Sequence, residues 1–406
     1  MSEQTAFAWM QAQCQQRLQR QQLRQLSCND GDAAEAPRFL KLHGQRYLNF
    51  SSNDYLGLSH HPELIDAYQQ GLSRYGCGST ASPLVTGYQR PHAELAEQLA
   101  DWLGRDQVLL FSSGFAANHG LLCALAPAYQ GLWLDKLAHA SLIDGARHSG
   151  TAFRRFLHNQ INKLAQQLTG REGNQLLISE GIFSMDGDAA ALAQLVELVT
   201  PQRQLFIDDA HGIGVSGYQG RGVAGQYSSA EVAYLTITFG KAFASAGAAI
   251  AVDNDVAQYL LQQHRELVYS TAMPPAQAYA LQATLTLIAG EQGEQRRQRL
   301  QQLISYFRTQ ASTLGLPINA SQSMIQVCLC GDEGTALAAS QRLRQAGIWC
   351  SAIRPPTVPN GSSRLRFCLT AAHQREDIDR LLEALAEAGL AASTARHNEN
   401  NDDADV

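Results

Sequence analysis

The chain has 406 residues, with 31 basic and 37 acidic side chains and a formal charge of −6. This length allows two or three domains, and the scattered basic residues offer no stripe for a nucleic acid or an anionic membrane. No apolar run approaches the ~20 residues of a membrane span, and residues 1–30 have no signal-peptide core, so we expect a cytoplasmic protein acting on small molecules.

The first predicted unit, residues 1–52, is an N-terminal arm helix followed by short strands. Its Gln/Arg-rich segment, residues 8–27, contains few apolar residues, which is typical of a surface or arm helix. A large domain is predicted over residues 53–287 and a smaller C-terminal α+β domain over residues 288–390. The polar, acidic residues 391–406 are expected to be a disordered tail.

Short apolar runs alternate with helical periods through the large domain. Leu95, Leu99 and Leu103, for example, predict a helix that Gly104 ends, and an apolar strand follows. We predict a mostly parallel seven-stranded α/β sheet covered by helices on both faces. The seven strands are Val108–Phe111, Leu132–Asp135, Ala152–Phe156, Gln175–Ser179, Leu205–Asp208, Ala233–Phe239 and Ala248–Val252.

The pattern changes after Pro274 and Pro275. One long polar-faced helix is predicted near residues 277–314, followed by strand, helix, strand and helix to about residue 390. Ligands of open α/β sheets bind beyond the carboxyl ends of the strands, so the loops after the predicted strands are the place to look for chemistry.

Three familiar motifs can be set aside. Gly212, Gly214 and Gly217 spell a dinucleotide fingerprint, but no helical period follows the third glycine. Gly240-Lys241 lacks the hydroxyl residue and the first glycine of a phosphate loop, and no G-x-S-x-G nucleophile elbow occurs. The eight cysteines form no C-x-x-C pair and have no metal-ligand spacing, so reduced thiols and no metal site are expected.

Two strand ends carry reactive groups. Lys241, one of only four lysines, follows the apolar run Ala233–Phe239 and is a candidate for a reactive amine. The alternative is that it is an ordinary solvated loop lysine. Asp208, Asp209 and His211 follow Leu205–Ile207. A carboxylate that keeps a pyridine nitrogen protonated turns the ring into an electron sink, whereas the plain alternative is an Asp cap with a structural His.

Two further strand ends complete the set. Ser112 to Asn118 reads as a strand, a glycine turn and a helix start, where free N–H groups suit a phosphate. His139 follows another strand and could stack on a planar ring. Each feature is common when taken alone, but an amine, a ring-nitrogen acid, a phosphate turn and a stacking imidazole at one sheet edge together indicate a pyridoxal phosphate (PLP) site.

The ordered motifs of residues 45–375 are similar to those of the α-oxoamine synthases. These fold-type I PLP enzymes condense an amino acid with an acyl thioester and release carbon dioxide. The resemblance lies in six segments: Asn49–Leu58, Ser113–Asn118, His139–Ser141, Glu180–Gly187, Asp208–Gly212 and Thr238–Lys241.

The resemblance implies roles for individual residues. Lys241 would bind the cofactor aldehyde, Asp208 would pair with the ring nitrogen, His211 with the ring hydroxyl, and His139 would stack on the ring. The remaining predicted cofactor contacts are Gly114, Phe115, Ser184 and Thr238, with Ser270 and Thr271 reaching the phosphate of a partner in an obligate homodimer whose sites lie at the interface. The predicted substrate contacts are Asn53 and Arg354 for the amino-acid carboxylate, Thr357 in the Arg354 turn, and Arg24 near the acyl chain.

Within the family, residues 269–275 and 352–359 most resemble the branch that condenses L-alanine with a pimeloyl thioester. A glycine-using synthase of the 2-amino-3-ketobutyrate ligase or 5-aminolevulinate synthase type remains an alternative, because pocket volume cannot be read from sequence. An aminotransferase of the same fold and a structural protein with a vestigial site are more distant alternatives. The acyl group could be carried by coenzyme A or by a carrier protein. Arg364 and Arg366 are alternatives to Arg354 as the residue that binds the amino-acid carboxylate.

Overall fold

The computed structural model describes residues 5–20, 22–31, 35–355 and 357–390. The predicted tail, residues 391–406, lies outside the described residues. Within the described ranges, no helix combines the length and apolar character needed to cross a bilayer. The predicted domain boundaries at residues 52, 287 and 390 stay predictions.

The strands, in chain order, are β1 (Phe39–Leu42), β2 (Gln45–Asn49), β3 (Gln107–Phe111), β4 (Gly131–Asp135), β5 (Phe153–Phe156), β6 (Gln175–Glu180), β7 (Arg203–Asp208), β8 (Tyr234–Thr238), β9 (Ala248–Val252), β10 (Ile325–Gly331), β11 (Ile348–Trp349), β12 (Ser351–Ile353) and β13 (Ser363–Cys368). The α-helices are α1 (Ala6–Gln19), α2 (Pro62–Tyr75), α3 (Arg90–Leu103), α4 (Gly114–Leu125), α5 (Ala140–His148), α6 (Ile161–Leu168), α7 (Leu192–Glu197), α8 (Asn254–Gln263), α9 (Arg265–Tyr269), α10 (Pro275–Ala289), α11 (Glu291–Thr313), α12 (Glu333–Gln345) and α13 (Arg375–Glu387).

The central sheet contains all seven predicted strands, in the order β3-β9-β8-β7-β6-β4-β5. The pairs β8-β7, β7-β6, β6-β4 and β4-β5 are parallel, and only β9 runs against its two neighbours. Strands β6, β8 and β9 are buried along their whole length, as continuous apolar runs in a sheet covered on both faces predict. The predicted fold class is therefore confirmed.

Two apolar cores cover the faces of this sheet. One includes Leu121, Leu142 and Leu260, from helices α4, α5 and α8. The other includes side chains from α3, α10 and α11 and continues into the C-terminal strands and helices. Helix α3 ends as predicted at Gly104, whose φ of 65° is a left-handed conformation that glycine adopts without a Cβ clash.

Two small three-stranded sheets lie outside the central sheet. One has the order β10-β13-β12 and is antiparallel. In the other, the N-terminal hairpin β1-β2 pairs in parallel with β11, so the arm and the C-terminal region share a sheet. This pairing places the segment after β2, which includes Asn53, next to the C-terminal strands.

Two predicted helices differ from the structure. The single helix near residues 277–314 is wrong, because Gly290 takes an extended conformation (φ −87°, ψ −173°) and separates α10 from α11. Helix α10 is also mostly buried rather than polar-faced. The arm helix predicted within residues 8–27 ends at Gln19. No residue of α1 is buried, so no contact with the rest of the protein stabilises a longer helix. Short helices without such contacts are only marginally stable in water.

Candidate active site

The carboxyl ends of five strands meet at one edge of the central sheet. Strands β4, β6, β7 and β8 are mutually parallel, and β3 shares their direction because both β3 and β8 run against β9. Five predicted cofactor residues lie at or shortly after the ends of these strands: Gly114, His139, Ser184, Asp208 and Lys241. The topology thus brings the predicted cofactor residues to a common edge.

Lys241 lies in the loop after β8. Its Nζ donates to Oγ1 of Thr238 at 3.3 Å. Burial lowers the pKa of this amine, and the charges of Asp208 and Glu180 only partly oppose the effect. The free base is therefore more accessible than in an exposed lysine, as a nucleophilic or proton-accepting amine requires.

Asp208 ends β7, and its charge acts on the Lys241 amine. Its Oδ2 accepts from Nδ2 of Asn118 at 2.6 Å and its Oδ1 from the backbone N–H of Ala210 at 3.0 Å. Asp209 follows in the chain and points away, as alternating side chains must. Its Oδ2 accepts from the N–H of Ala224 at 3.2 Å, and burial raises its pKa to about 7.

His211 lies on the turn that follows Asp208. Its Nδ1 is 2.7 Å from the hydroxyl of Tyr55, which donates to Oδ1 of Asn53 at 3.1 Å. Burial, aided by the nearby Lys241 charge, lowers the pKa of His211 well below its ordinary value. The imidazole is therefore neutral at physiological pH.

His139 caps helix α5. Its Nδ1 accepts from the backbone N–H of Ser141 at 3.2 Å and lies 2.8 Å from the Ser141 hydroxyl. Burial lowers the pKa of His139, and Asp208 partly opposes this. Since Nδ1 is an acceptor, the neutral ring carries its proton on Nε2.

The predicted phosphate turn is the start of helix α4. The Ser113 side chain accepts from the N–H of Ala116 at 3.1 Å, while the other first-turn N–H groups have no partner within the helix. A Cβ at Gly114 would come within 2.7 Å of Cγ2 of Thr238, so a larger residue would push the turn away from β8. Phe115 is exposed at the same turn.

Arg366, predicted only as an alternative to Arg354, lies among the residues of the site. It is buried on β13, and its Nε donates to the carbonyl of Ser184 at 2.7 Å. Its Nη1 donates to Sγ of Cys368 at 2.9 Å, and Nη2 is 3.4 Å from Oδ1 of Asn53. The structure therefore brings Asn53 and Ser184 together through this guanidinium.

The other predicted substrate residues lie in the turn after β12 and in the segment after α1. Arg354 follows β12, and its Nη1 is 3.9 Å from Oε2 of Glu333. Thr357 is exposed in the adjoining turn, where its N–H donates to the Arg354 carbonyl at 3.0 Å. Arg24 is exposed after helix α1.

Ser270 and Thr271 follow helix α9. The Ser270 hydroxyl donates to Oε2 of Glu266 at 2.7 Å. Both residues line a cavity of about 580 Å³ that also reaches Phe111 and Ser112, at the end of β3 beside the phosphate turn. Their predicted contact with a partner's phosphate stays a prediction.

Glu180 is absent from the predicted site. It ends β6 in register with Asp208 on β7, and it is buried. Burial and the Asp208 charge raise its pKa well above the ordinary value. Its Oε1 has no hydrogen-bond partner within the described ranges. The sequence signal was an acidic residue closing the apolar run Gln175–Ser179.

The donor set fits PLP. A buried amine lies near a buried carboxylate and two neutral imidazoles, and a helix N-terminus with a nearby threonine hydroxyl suits a phosphate. This site on this sheet defines a PLP-dependent enzyme of fold type I. Residues 45–385 match the family described as aminotransferase class I and II, and the chain belongs to that family.

The sequence relatives carry a more specific name. An 8-amino-7-oxononanoate synthase from Yersinia pseudotuberculosis serotype IB is 53% identical over 350 residues, which cover 86% of this chain and 91% of the relative. A protein of the same name from Yersinia enterocolitica is 51% identical over 369 residues, covering 90% of this chain and 96% of the relative. The predicted resemblance is thus confirmed.

Solved structures agree on the fold. The crystal structure of 8-amino-7-oxononanoate synthase from Francisella tularensis superposes with a TM-score of 0.75 at 29% identity, covering 84% of this chain and 97% of that one. A serine palmitoyltransferase from S. paucimobilis with bound PLP gives a TM-score of 0.88 at 23% identity, covering 96% and 98%. At that identity the second likeness concerns the fold alone.

Proposed function

We propose that this protein catalyses the decarboxylative condensation of L-alanine with a pimeloyl thioester. The products are 8-amino-7-oxononanoate, carbon dioxide and free thiol, and the reaction belongs to biotin biosynthesis. The proposal is carried by 53% identity over 350 residues to relatives named 8-amino-7-oxononanoate synthase, together with a site that has the required amine, acid and imidazoles. This favours the alanine-using activity over the glycine-using alternative.

Eight residues would hold PLP: Lys241, Asp208, His211, His139, Gly114, Phe115, Ser184 and Thr238. When bound, PLP supplies an electron sink for a carbanion at the α-carbon of the amino acid. Asp208, held by Asn118 and the Ala210 N–H, would keep a negative charge at the ring nitrogen. The neutral His139 ring would offer a flat, uncharged face for stacking.

Lys241 is the proton-transfer group of the proposed reaction. Its lowered pKa leaves a larger fraction of free amine near neutral pH. Nζ can therefore accept the proton from the α-carbon of the substrate and later return it. The Thr238 hydroxyl, 3.3 Å from Nζ, orients the amine toward the sheet edge.

Arg366 and Asn53 would hold the amino-acid carboxylate. Arg366 is a buried guanidinium beside Asn53, and a planar fork of donors matches a carboxylate. Fixing the carboxylate also fixes which α-carbon bond stands perpendicular to the cofactor plane, an orientation worth several kcal/mol in favourable cases. Arg354 and Thr357, in the turn after β12, and Arg24 would then lie nearer the acyl substrate.

The proposed active form is a homodimer in the cytoplasm. In such a dimer, Ser270 and Thr271 would face the partner's phosphate. The cavity that these two residues share with Ser112 supports the idea, because Ser112 directly precedes the phosphate turn.

The test is a direct assay of the purified protein with PLP. We expect release of free thiol from pimeloyl thioester only when L-alanine is present, and a product of the mass of 8-amino-7-oxononanoate. Coenzyme A and carrier-protein thioesters are assayed in parallel to identify the acyl carrier. Turnover with glycine and not with L-alanine would overturn the proposal in favour of the glycine-using alternative, and amino transfer without thiol release would indicate an aminotransferase.

A further inference from the structure

His158 bridges two acidic residues just outside the site. It follows β5, and its side chain is 24% exposed. Its Nδ1 lies 2.9 Å from Oδ1 of Asp135 and its Nε2 lies 2.7 Å from Oδ2 of Asp188. Both ring nitrogens therefore face carboxylate oxygens.

The Asp135 side of this bridge leads to His139. Asp135 ends β4, and its Oδ1 also accepts from the N–H of Leu137 at 2.8 Å. Its Oδ2 accepts from the N–H of Asn159 at 3.2 Å. The Asp135 carboxylate thus holds the short segment between β4 and His139, the residue proposed to stack on the cofactor.

The Asp188 side leads to Ser184. The carbonyl of Asp188 accepts from the N–H of Phe183 at 2.9 Å, which closes the turn that contains Ser184. The Phe183 ring packs edge-on against His158, with centroids 4.4 Å apart. Asn159 adds a second link, since its Nδ2 donates to Oδ2 of Asp188 at 3.1 Å.

The two contacts require a protonated ring. A carboxylate oxygen can only accept, and a neutral imidazole has one N–H, so simultaneous donation to both acids needs the imidazolium. Burial lowers the pKa of His158, but the hydrogen bonds and charges of Asp135 and Asp188 outweigh it and raise the value to about 10. At physiological pH the bridge is a cation between two anions.

We propose that His158 is a positioning residue that clamps the His139 segment and the Ser184 turn against each other, and so sets the width of the PLP site between them. The role of PLP rests on the proposed function. In this role His158 does not touch the cofactor but acts through Asp135 and Asp188.

The test compares His158→Gln, Asp188→Asn and the double variant. We expect each single substitution to weaken PLP binding to the apoprotein by about tenfold, because it removes a charge from the bridge, and hydrogen bonds without that charge are weaker. The double variant should be little worse than either single one, since both break the same bridge. Affinity is measured by absorbance titration with PLP alone.

A matched control separates positioning from general stability. Leu164 is buried on α6, the helix that follows His158, and belongs to the apolar core. Leu164→Ala should lower the urea midpoint without changing PLP affinity. Amide hydrogen exchange supplies a second measurement: it should rise at Leu137 and Phe183 in His158→Gln and stay unchanged there in Leu164→Ala.

Wild-type PLP affinity in His158→Gln would overturn the inference, as would strictly additive losses in the double variant. If His158→Gln does not fold, Asp188→Asn alone decides, because it removes the negative charge at one end of the bridge. Failure of the wild-type protein itself to bind PLP would instead refute the proposed function.

Discussion

The Nδ2 atom of Asn118 lies 2.6 Å from Oδ2 of Asp208 and, with its second hydrogen, 3.0 Å from the hydroxyl of Ser141. Ser141 in turn lies 2.8 Å from Nδ1 of His139. One buried amide therefore connects the residue proposed to face the ring nitrogen with the residue proposed to stack on the ring. Its charge-assisted bond to Asp208 also fixes the direction in which that carboxylate points.

Asn118→Ala should weaken PLP binding by about tenfold or more, because a hydrogen bond to a charged group contributes roughly 1.5–3 kcal/mol. Asn118→Asp should be worse, since it places a second carboxylate beside Asp208. Both are measured by PLP titration of the apoprotein. Asn174→Ala, which removes an exposed hydrogen bond to the Ala128 carbonyl, is the matched control and should bind PLP normally.

Lys241 alone should carry the cofactor aldehyde. Borohydride reduction of the PLP-loaded protein followed by peptide mapping should label Lys241, and Lys241→Ala should bind PLP weakly and lose turnover. Lys163→Ala is the control and should behave like the wild type. A label on Lys41, Lys136 or Lys163 would contradict the assignment.

Asp208→Asn and Asp209→Asn should differ sharply. Of the two aspartates, Asp208 is the one whose charge acts on the Lys241 amine. Its replacement removes the charge proposed at the ring nitrogen, so kcat should fall on the order of 10²-fold or more. Asp209 is buried behind it among backbone N–H groups and has a pKa of about 7. Its neutral amide replacement should therefore retain most of the activity. The reverse ranking would show that the strand register places Asp209 in the site.

Asp209 should also give the protein a pH-dependent stability. Its pKa is raised from 3.8 to about 7 in the folded state, so between these values the folded protein holds a proton that the unfolded chain has lost. The free energy of unfolding should therefore fall as pH rises toward 7, and this contribution should level off above it. Urea unfolding at one protein concentration, over about pH 5 to 8, should show a smaller slope for Asp209→Asn.

The parts of the fold that the sequence predicted best were those set by long apolar runs. Fully buried apolar runs such as β6 and β8 are typical of strands in a sheet covered on both faces, and the residues after them mark the site edge. The break at Gly290 was missed because the residues on both sides continue a helical period. The chain turns at Gly290 because α10 and α11 both pack against the same apolar core, and this tertiary packing is not visible in the local sequence.

Arg366 was predicted only as an alternative to Arg354, for a different physical reason. In Arg364-Leu365-Arg366-Phe367, arginines alternate with apolar residues, which is the pattern of a strand with one solvent-exposed face. Strand β13 is instead buried on both faces, and each arginine reaches a partner on the loop after β6: Arg364 the carboxylate of Asp186 and Arg366 the carbonyl of Ser184. Burial of a charged strand face depends on long-range pairing that local sequence does not reveal.

The last prediction separates Arg366 from Arg354 as the carboxylate ligand. Arg366→Lys keeps the charge but loses the planar fork beside Asn53, so the concentration of L-alanine needed to change the cofactor spectrum should rise by at least about tenfold. Affinity for the pimeloyl thioester should change little. Arg354→Lys, in the turn near Glu333, should leave the L-alanine titration unchanged. If instead Arg354→Lys weakens L-alanine binding while Arg366→Lys does not, the turn after β12 must approach the amino acid in the working enzyme. Arg366 would then act as a brace for the Ser184 turn, through its hydrogen bond to the Ser184 carbonyl.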